Sequence, residues 1–163
     1  AKIEAFRDTA PHRPRLIFEL CLGTGQRIGD VLRMRWNDIQ DDGITLRQSK
    51  TGRALWIPLT AALREVLDAT PRRGEAIVAD DQGRALRYTH ARHAVAEVRK
   101  QIGAEAYDLH ALRHTAAHEL AQLGCSDEMI MAITGHQSRS MVAHYAGAAR
   151  QKSRAKEVQE KRK

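Results

Sequence analysis

The chain has 163 residues, of which 42% are hydrophobic, and its formal net charge is +7. This length and composition predict one domain with a substantial core and exclude wholesale disorder. No apolar run reaches the roughly 18 residues that span a bilayer, and no signal segment opens the chain, which excludes an integral membrane protein. Its two cysteines, Cys21 and Cys125, are too few for a disulfide framework and lack metal-site spacing. This cysteine usage predicts a reducing, cytoplasmic location.

The first half of the chain predicts two helices followed by a β-hairpin. Apolar residues recur at helical spacing over residues 16–21, and a second helix is expected over residues 28–37. Two alternating segments follow at residues 44–47 and 55–58, with a glycine-containing turn sequence between them. This pattern is typical of a β-hairpin and places Lys50 at or beside its tip.

Three further elements are predicted after the hairpin. Thr60 is expected to cap a helix that carries Leu63, Val66 and Leu67. A short strand is possible at residues 77–78. Thr89 is expected to cap the next helix.

The clearest helical pattern is an apolar stripe with spacings of three and four residues, after which Gly124 ends the helix. The stripe consists of Leu109, Leu112, Ala116, Leu120 and Leu123. His110 and Arg113 lie to one side of it, next to the small residues Ala117 and Ala121. We interpret these small side chains as leaving room for a bulky ligand.

Two more helices close the pattern. Ser126 or Asp127 is expected to cap the first of them, and Ser138 or Ser140 the second. The predicted fold class is therefore α+β, mainly helical, with a small antiparallel β-hairpin or three-stranded sheet at one edge.

The positive charge is concentrated at the C-terminal end. After Tyr145, seven lysines and arginines stand against two glutamates, so this segment carries +5 and the rest of the chain +2. A basic balance favours a polyanionic partner, although a solvated basic tail explains it equally well. Val158 is almost the only large apolar residue there. Residues 148–163 are therefore predicted to form a tail that is flexible or docks on a partner protomer, after a domain of residues 1–147.

Several polar residues are candidates for a site, and each has an ordinary structural explanation. His110 and Arg113 are neighbours on a helix, and an arginine fork suits phosphate, but an exposed helix flank explains them as well. Arg27 at a helix start opposes the macrodipole, a local conflict that can mark a functional site. His136 at an interhelical turn is typical of a local hydrogen-bonding group, and Tyr145 of a half-buried core tyrosine.

The order of these pieces resembles the tyrosine recombinases, the phage-type integrases, over essentially the whole chain up to about Gly147. The motifs are Thr24-Gly25-Gln26-Arg27, Leu32-Arg33-Met34-Arg35-Trp36-Asn37-Asp38-Ile39, Lys50-Thr51-Gly52, His110-Ala111-Leu112-Arg113-His114-Thr115, Gly135-His136 and Tyr145. The resemblance implies the catalytic-domain fold of that family. Asp30 stands where the family more often has Glu, and either is expected to orient Arg27. The family's N-terminal DNA-clamping domain is not in this chain, which begins with Ala1, so we expect a fragment.

The resemblance also implies a reaction and the roles of four residues in it. Tyr145 would attack a DNA phosphodiester and form a 3′-phosphotyrosyl bond, which a second DNA end would then reseal without ATP. Arg27, Arg113 and His136 would stabilise the transition state, and the arginines would replace a divalent metal, so no cofactor or metal is implied.

The implied proton transfers involve two further residues. A tyrosine hydroxyl with a pKa near 10 needs a base, for which His110 is the candidate. Lys50 on its hairpin is the candidate acid for the leaving 5′-oxygen. His114 is expected to support the site without taking part in the chemistry.

The implied partner is double-stranded DNA at a recombination site in a bacterial host cell, with a tetramer on DNA and a monomer in isolation. Three alternatives stay open: a DNA-binding fragment without catalysis, an enzyme like the type IB topoisomerases, and a zinc protein. The zinc reading would use His110, His114 and His118, but it lacks an HExxH motif and a nearby cysteine.

Overall fold

The computed structural model describes residues 1–162, except for the side chain of Tyr145. The described chain is mainly helical with a small antiparallel sheet, so the predicted fold class is confirmed. Its elements are α1 (Lys2–Thr9), α2 (His12–Thr24), α3 (Ile28–Val31), β1 (Ile39–Gln40), β2 (Gly43–Arg47), β3 (Ala54–Pro58), α4 (Ala61–Asp68), α5 (Tyr88–Gln101), α6 (Leu109–Gln122), α7 (Asp127–Thr134) and α8 (Arg139–Lys161). None of the described helices is both long and apolar enough to cross a membrane.

Helix α2 is the centre of the main hydrophobic core. Ile17, Leu20 and Cys21 have no exposed surface, and the helix packs against α4, α5 and α6. Burial raises the pKa of the Cys21 thiol to about 12, so this cysteine is a small apolar core residue and not a nucleophile. The helix ends at Gly25, whose left-handed backbone (φ +67°) turns the chain toward the next element.

The sheet has the order β1–β2–β3, and both of its pairings are antiparallel. Ile44 pairs with Ile57 and Leu46 with Leu55, so the apolar phase of the hairpin faces the core. The turn between β2 and β3 carries Lys50, which is exposed, and the predicted position of this lysine is confirmed.

Four features of the N-terminal and central part of the chain differ from the sequence-based expectations. Helix α1 was not predicted, and α3 ends at Val31, well before residue 37. The chain leaves α3 because the segment after it pairs with a distant one: the Ile77 amide donates to the Met34 carbonyl at 3.1 Å. The possible strand at residues 77–78 does not form, and isolated bridges lie on either side of it at Ala76 and Ala79. Arg87, not Thr89, precedes the first residue of α5.

The predicted helix caps are mostly confirmed. The hydroxyl of Thr60 accepts a hydrogen bond from the Leu63 amide at 3.2 Å. Ser126 and Ser138, and not their predicted alternatives, cap α7 and α8 in the same way.

Helix α6 has its predicted bounds and buries most of the predicted stripe, but it also buries a flank that was expected to be open. Leu123 of the predicted stripe is 79% exposed, whereas Ala117 and Ala121 are buried against Val142 and Ala146 of α8. The expectation that these alanines leave room for a ligand is therefore wrong. Their small side chains allow α8 to pack closely against α6. The apolar periodicity of α6 alone does not predict this contact, because it depends on a second helix.

Helix α8 runs through the predicted boundary between residues 147 and 148. Ala149 is buried, and Arg150 pairs with Asp127 and donates to the Cys125 carbonyl at 3.1 Å. Residues 151–162 are exposed. Helix α8 is therefore packed against the rest of the domain as far as Arg150. The prediction that the tail docks on a partner stays a prediction.

Candidate active site

Arg113 is the buried centre of the candidate site. Only 2% of the residue is exposed, and its Nη1 donates to the carbonyls of Gly25 and Thr134, each at 2.7 Å. These carbonyls lie at the C-terminal ends of α2 and α7, which carry partial negative charge. Arg113 of α6 therefore holds two helix ends together while keeping a guanidinium in the interior.

His136 lies beside Arg113 because the chain turns sharply after α7. Gly135 has a left-handed backbone (φ +73°) and ends that helix. His136 is 1% exposed, and its Nδ1 lies 2.6 Å from the Thr134 hydroxyl oxygen. Because that hydroxyl donates to the Ile130 carbonyl at 2.9 Å, it accepts a hydrogen bond from the Nδ1–H of His136. The neutral ring then carries its proton on Nδ1.

The electrostatic surroundings of His136 show which charges converge on it. Burial, followed by the positive charges of Arg113 and Arg27 and smaller effects of His114 and His110, lowers the pKa of His136 to about 4. The imidazole is therefore neutral at pH 7. Arg27, Arg113 and His136, which come from three distant segments of the chain, are thus close enough in space for their charges to interact.

We expect this histidine to make stability pH-dependent. Because its folded pKa lies below the unfolded value near 6.5, the unfolded chain binds more protons between these pH values. The contribution to stability is complete above about pH 6.5 and is lost as the pH falls toward 4, by up to about 3 kcal/mol. Urea unfolding at several pH values should show this loss in the unmodified chain and much less of it in His136→Gln.

The exposed His90 provides the control for this experiment. His90→Gln should keep the pH dependence of the unmodified chain. An unchanged slope in His136→Gln would contradict the assigned protonation of His136.

Arg27 is the second guanidinium of the site. It lies directly before α3, and its Nη1 is buried without a hydrogen-bond partner among the described residues. A buried donor without a partner is costly, and an anion would satisfy it. Arg27 and Arg113 together therefore define a place for an anionic group next to a neutral imidazole.

Asp30 does not make the contact that we expected. Its Oδ1 pairs with Arg33 and accepts a hydrogen bond from the Ser49 amide at 3.0 Å. These described contacts hold the start of the turn that carries Lys50, whereas orientation of Arg27 by Asp30 is not among them. The side chain is buried and lies between α3 and the hairpin.

The rings of three histidines lie in a row beside the site. The ring centroids of His110 and His114 are 6.2 Å apart, and those of His114 and His144 are 6.0 Å apart. Burial, followed by the charges of His110 and His144, lowers the pKa of His114. His114 therefore lies between the other two, and its supporting role stays a prediction. Among the described residues, no group of three or more histidine, cysteine, aspartate or glutamate residues is arranged to hold a metal ion.

Tyr145 falls within α8, one residue after His144. Its side chain lies outside the described part of the structure. The role predicted for its hydroxyl, together with that of His110 as its base, therefore stays a prediction.

Two buried glutamines and His144 were not predicted as parts of the site. Gln26 and Gln48 are each 1% exposed, and Gln48 continues the inward phase of Ile44 and Leu46 along β2. A polar residue in the inward phase of a strand needs a buried partner, and this signal could have identified Gln48.

The site is defined by two arginines and a buried histidine from separate segments, an arrangement that suits a phosphate-type anion. The family model described as the phage integrase family matches residues 2–152. The chain therefore belongs to the phage integrase family, that is, the tyrosine recombinases.

Two curated relatives and one solved structure illustrate the similarity. The integrase of Enterobacteria phage 434 is 31% identical over 88% of this chain and 44% of its own length. The tyrosine recombinase XerC of Mycobacterium leprae is 28% identical over 84% of this chain and 50% of its own length. The crystal structure of a lambda integrase tetramer bound to a Holliday junction has a TM-score of 0.73 and 30% identity, over 88% of this chain and 45% of that one. The chain thus spans about half the length of these relatives.

Proposed function

We propose that the chain is the catalytic domain of a site-specific DNA recombinase or integrase, which breaks and rejoins DNA strands through a covalent link to Tyr145. The observation that carries the proposal is the convergence of Arg27, Arg113 and His136 on one place, with the Arg27 Nη1 buried and unsatisfied within the described structure. A DNA phosphate would occupy this place. The similar lambda integrase, whose structure was solved on a Holliday junction, supports DNA as the substrate.

The proposed step transfers a phosphoryl group between two oxygens. The Tyr145 hydroxyl oxygen bonds to phosphorus, the bond from phosphorus to the 5′-oxygen breaks, and a 3′-phosphotyrosyl link remains. The proton of the tyrosine hydroxyl passes to His110, and the ammonium of Lys50 gives a proton to the 5′-oxygen. The two arginines stabilise the charge that builds on the non-bridging oxygens. The negative charge of the bound phosphate raises the pKa of His136, so that its protonated ring donates from Nε2 to one of these oxygens. Resealing reverses these steps with a second 5′-hydroxyl.

A pool of nicked duplexes with randomised core sequences tests this proposal, because the chain itself selects the sequences that it cleaves. Cleavage near a nick releases a short fragment and traps the protein on DNA. We expect a DNA-linked band on a denaturing gel for the unmodified chain and none for Tyr145→Phe, because phenylalanine lacks the attacking oxygen.

Tyr107 provides a matched control because it is 58% exposed and lies outside the site. Tyr107→Phe should form the adduct normally. A band that persists in Tyr145→Phe would overturn the assigned nucleophile. If the unmodified chain bound DNA but formed no adduct, the chain would be a DNA-binding fragment and the proposed catalysis would be wrong.

A further inference from the structure

Gln48 anchors the turn that carries Lys50. Its backbone carbonyl accepts from the Gly52 amide at 2.8 Å, and its backbone amide donates to the Arg53 carbonyl at 2.9 Å. Its side-chain Oε1 accepts from the Thr51 hydroxyl at 2.9 Å. The three residues that follow Lys50 are thus tied to the one glutamine that begins the turn.

The side-chain amide nitrogen of Gln48 reaches the part of the site that contains Arg113 and His136. Its Nε2 donates to the Thr134 carbonyl at 2.9 Å and to the Gln26 Oε1 at 2.7 Å. The Thr134 carbonyl is the same oxygen that accepts from Arg113. Gln48 and Arg113 therefore share one acceptor, immediately before the Gly135-His136 turn.

Gln26, the residue before Arg27, extends this network to the end of α2. Its Nε2 donates to the carbonyls of Thr24 and Ile133, both at 2.9 Å, while its Oε1 accepts from Gln48. Both side-chain N–H groups of each glutamine are used, and each carboxamide oxygen accepts a hydrogen bond. A fully connected buried network of this kind fixes the relative positions of the elements that it joins.

The backbone is adapted to this contact. A Cβ atom built on Gly135 would lie 2.4 Å from the Gln48 Nε2, so only glycine allows the amide to approach Thr134 this closely.

We propose that Gln48 is a positioning residue that holds the Lys50 turn in register with Arg27, Arg113 and His136, so that proton donation to the leaving oxygen depends on it. This inference rests on the proposed function and adds a residue that acts through Lys50. Gln26 completes the same network from the side of Arg27.

The test compares two leaving groups on the same duplex. The duplex is one that is cleaved in the randomised pool, made once with the ordinary 5′-oxygen and once with sulfur at that position. When the sulfur is present, the phosphorus–sulfur bond breaks and a thiolate leaves without a proton, because a thiol pKa of about 8.5 makes it a good leaving group. Loss of proton donation therefore slows cleavage of the oxygen substrate and spares the sulfur substrate.

We expect Gln48→Met to lower the ratio of the oxygen rate to the sulfur rate by about tenfold, part of the roughly 10²–10⁴-fold that general acid catalysis contributes. Because both rates are measured on one preparation, the ratio is independent of the fraction of folded protein. Lys50→Ala should lower the ratio further, and adding Gln48→Met to it should lower the ratio no more.

Two more variants complete the test. Thr51→Val removes one hydrogen bond to Gln48 at a half-buried position and should lower the ratio in the same direction by a smaller factor. Gln101→Met, at an exposed glutamine in the last turn of α5, is the control and should leave it unchanged.

Equal slowing of both substrates by Gln48→Met would overturn the inference, since Gln48 would then have only a structural role. An unchanged ratio with unchanged rates would overturn it as well. If the unmodified chain formed no adduct with either substrate, the proposed function itself would fail. That result is distinguishable because it does not involve Gln48.

Discussion

Replacing Arg113 by lysine should lower the rate of covalent adduct formation by about 10²–10³-fold, the loss typical of one preorganised donor. The variant keeps the positive charge, so the expected loss comes from geometry. One Nη1 atom of Arg113 holds the carbonyls of Gly25 and Thr134, and the planar guanidinium offers further donors to the phosphate. A lysine ammonium is a single point of charge and cannot hold two helix ends and a phosphate oxygen in the same way.

This prediction is measured by single-turnover adduct formation and, separately, by equilibrium DNA binding at fixed salt. Binding should change little, because many phosphate contacts contribute to it. Arg84→Lys is the matched control, since Arg84 is exposed and pairs with Asp80 far along the chain from the site motifs. A rate for Arg113→Lys within about threefold of the unmodified chain would show that the fork of Arg113 is not needed.

Replacing Gly135 by alanine should lower the free energy of unfolding by about 2–5 kcal/mol. The left-handed backbone costs an alanine roughly 1–2 kcal/mol. The added methyl group would also collide with the Gln48 amide, and each buried hydrogen-bonding group left without a partner costs about 1–3 kcal/mol. His136 follows directly, so adduct formation should fall together with stability.

Gly124 separates the two costs of this substitution. It is also left-handed (φ +82°), but a Cβ atom there would meet no atom of the described structure within 4 Å. Urea unfolding of Gly124→Ala should therefore show only the backbone cost. Equal losses in the two variants would contradict the close approach of Gln48 to Gly135.

Local features were predictable from the sequence. Ser126 and Ser138 cap their helices through hydrogen bonds to amides three residues on, and the turn around Lys50 is closed within five residues. The fold class follows from such local signals together with the apolar periods. The family resemblance then provided the grouping of the site residues.

Features decided by distant contacts were not predictable in this way. The end of α3 depends on pairing between Met34 and Ile77, and the burial of Ala117 and Ala121 in α6 depends on α8. Asp30 was expected to orient Arg27, but its contacts are with Arg33 and Ser49. A single sequence records the type of such a residue but not the partner that folding brings to it.

The alanine-lined contact between α6 and α8 has a consequence for motion. The buried apolar residues of the described chain form two clusters, and α8 belongs to the smaller one, which is composed mostly of alanines. An alanine buries little apolar area. The contact with α6 therefore contributes less hydrophobic stabilisation to α8 than the large aliphatic side chains of the main core contribute to α2. We therefore expect the backbone amides of α8 to exchange their hydrogens faster than those of α2.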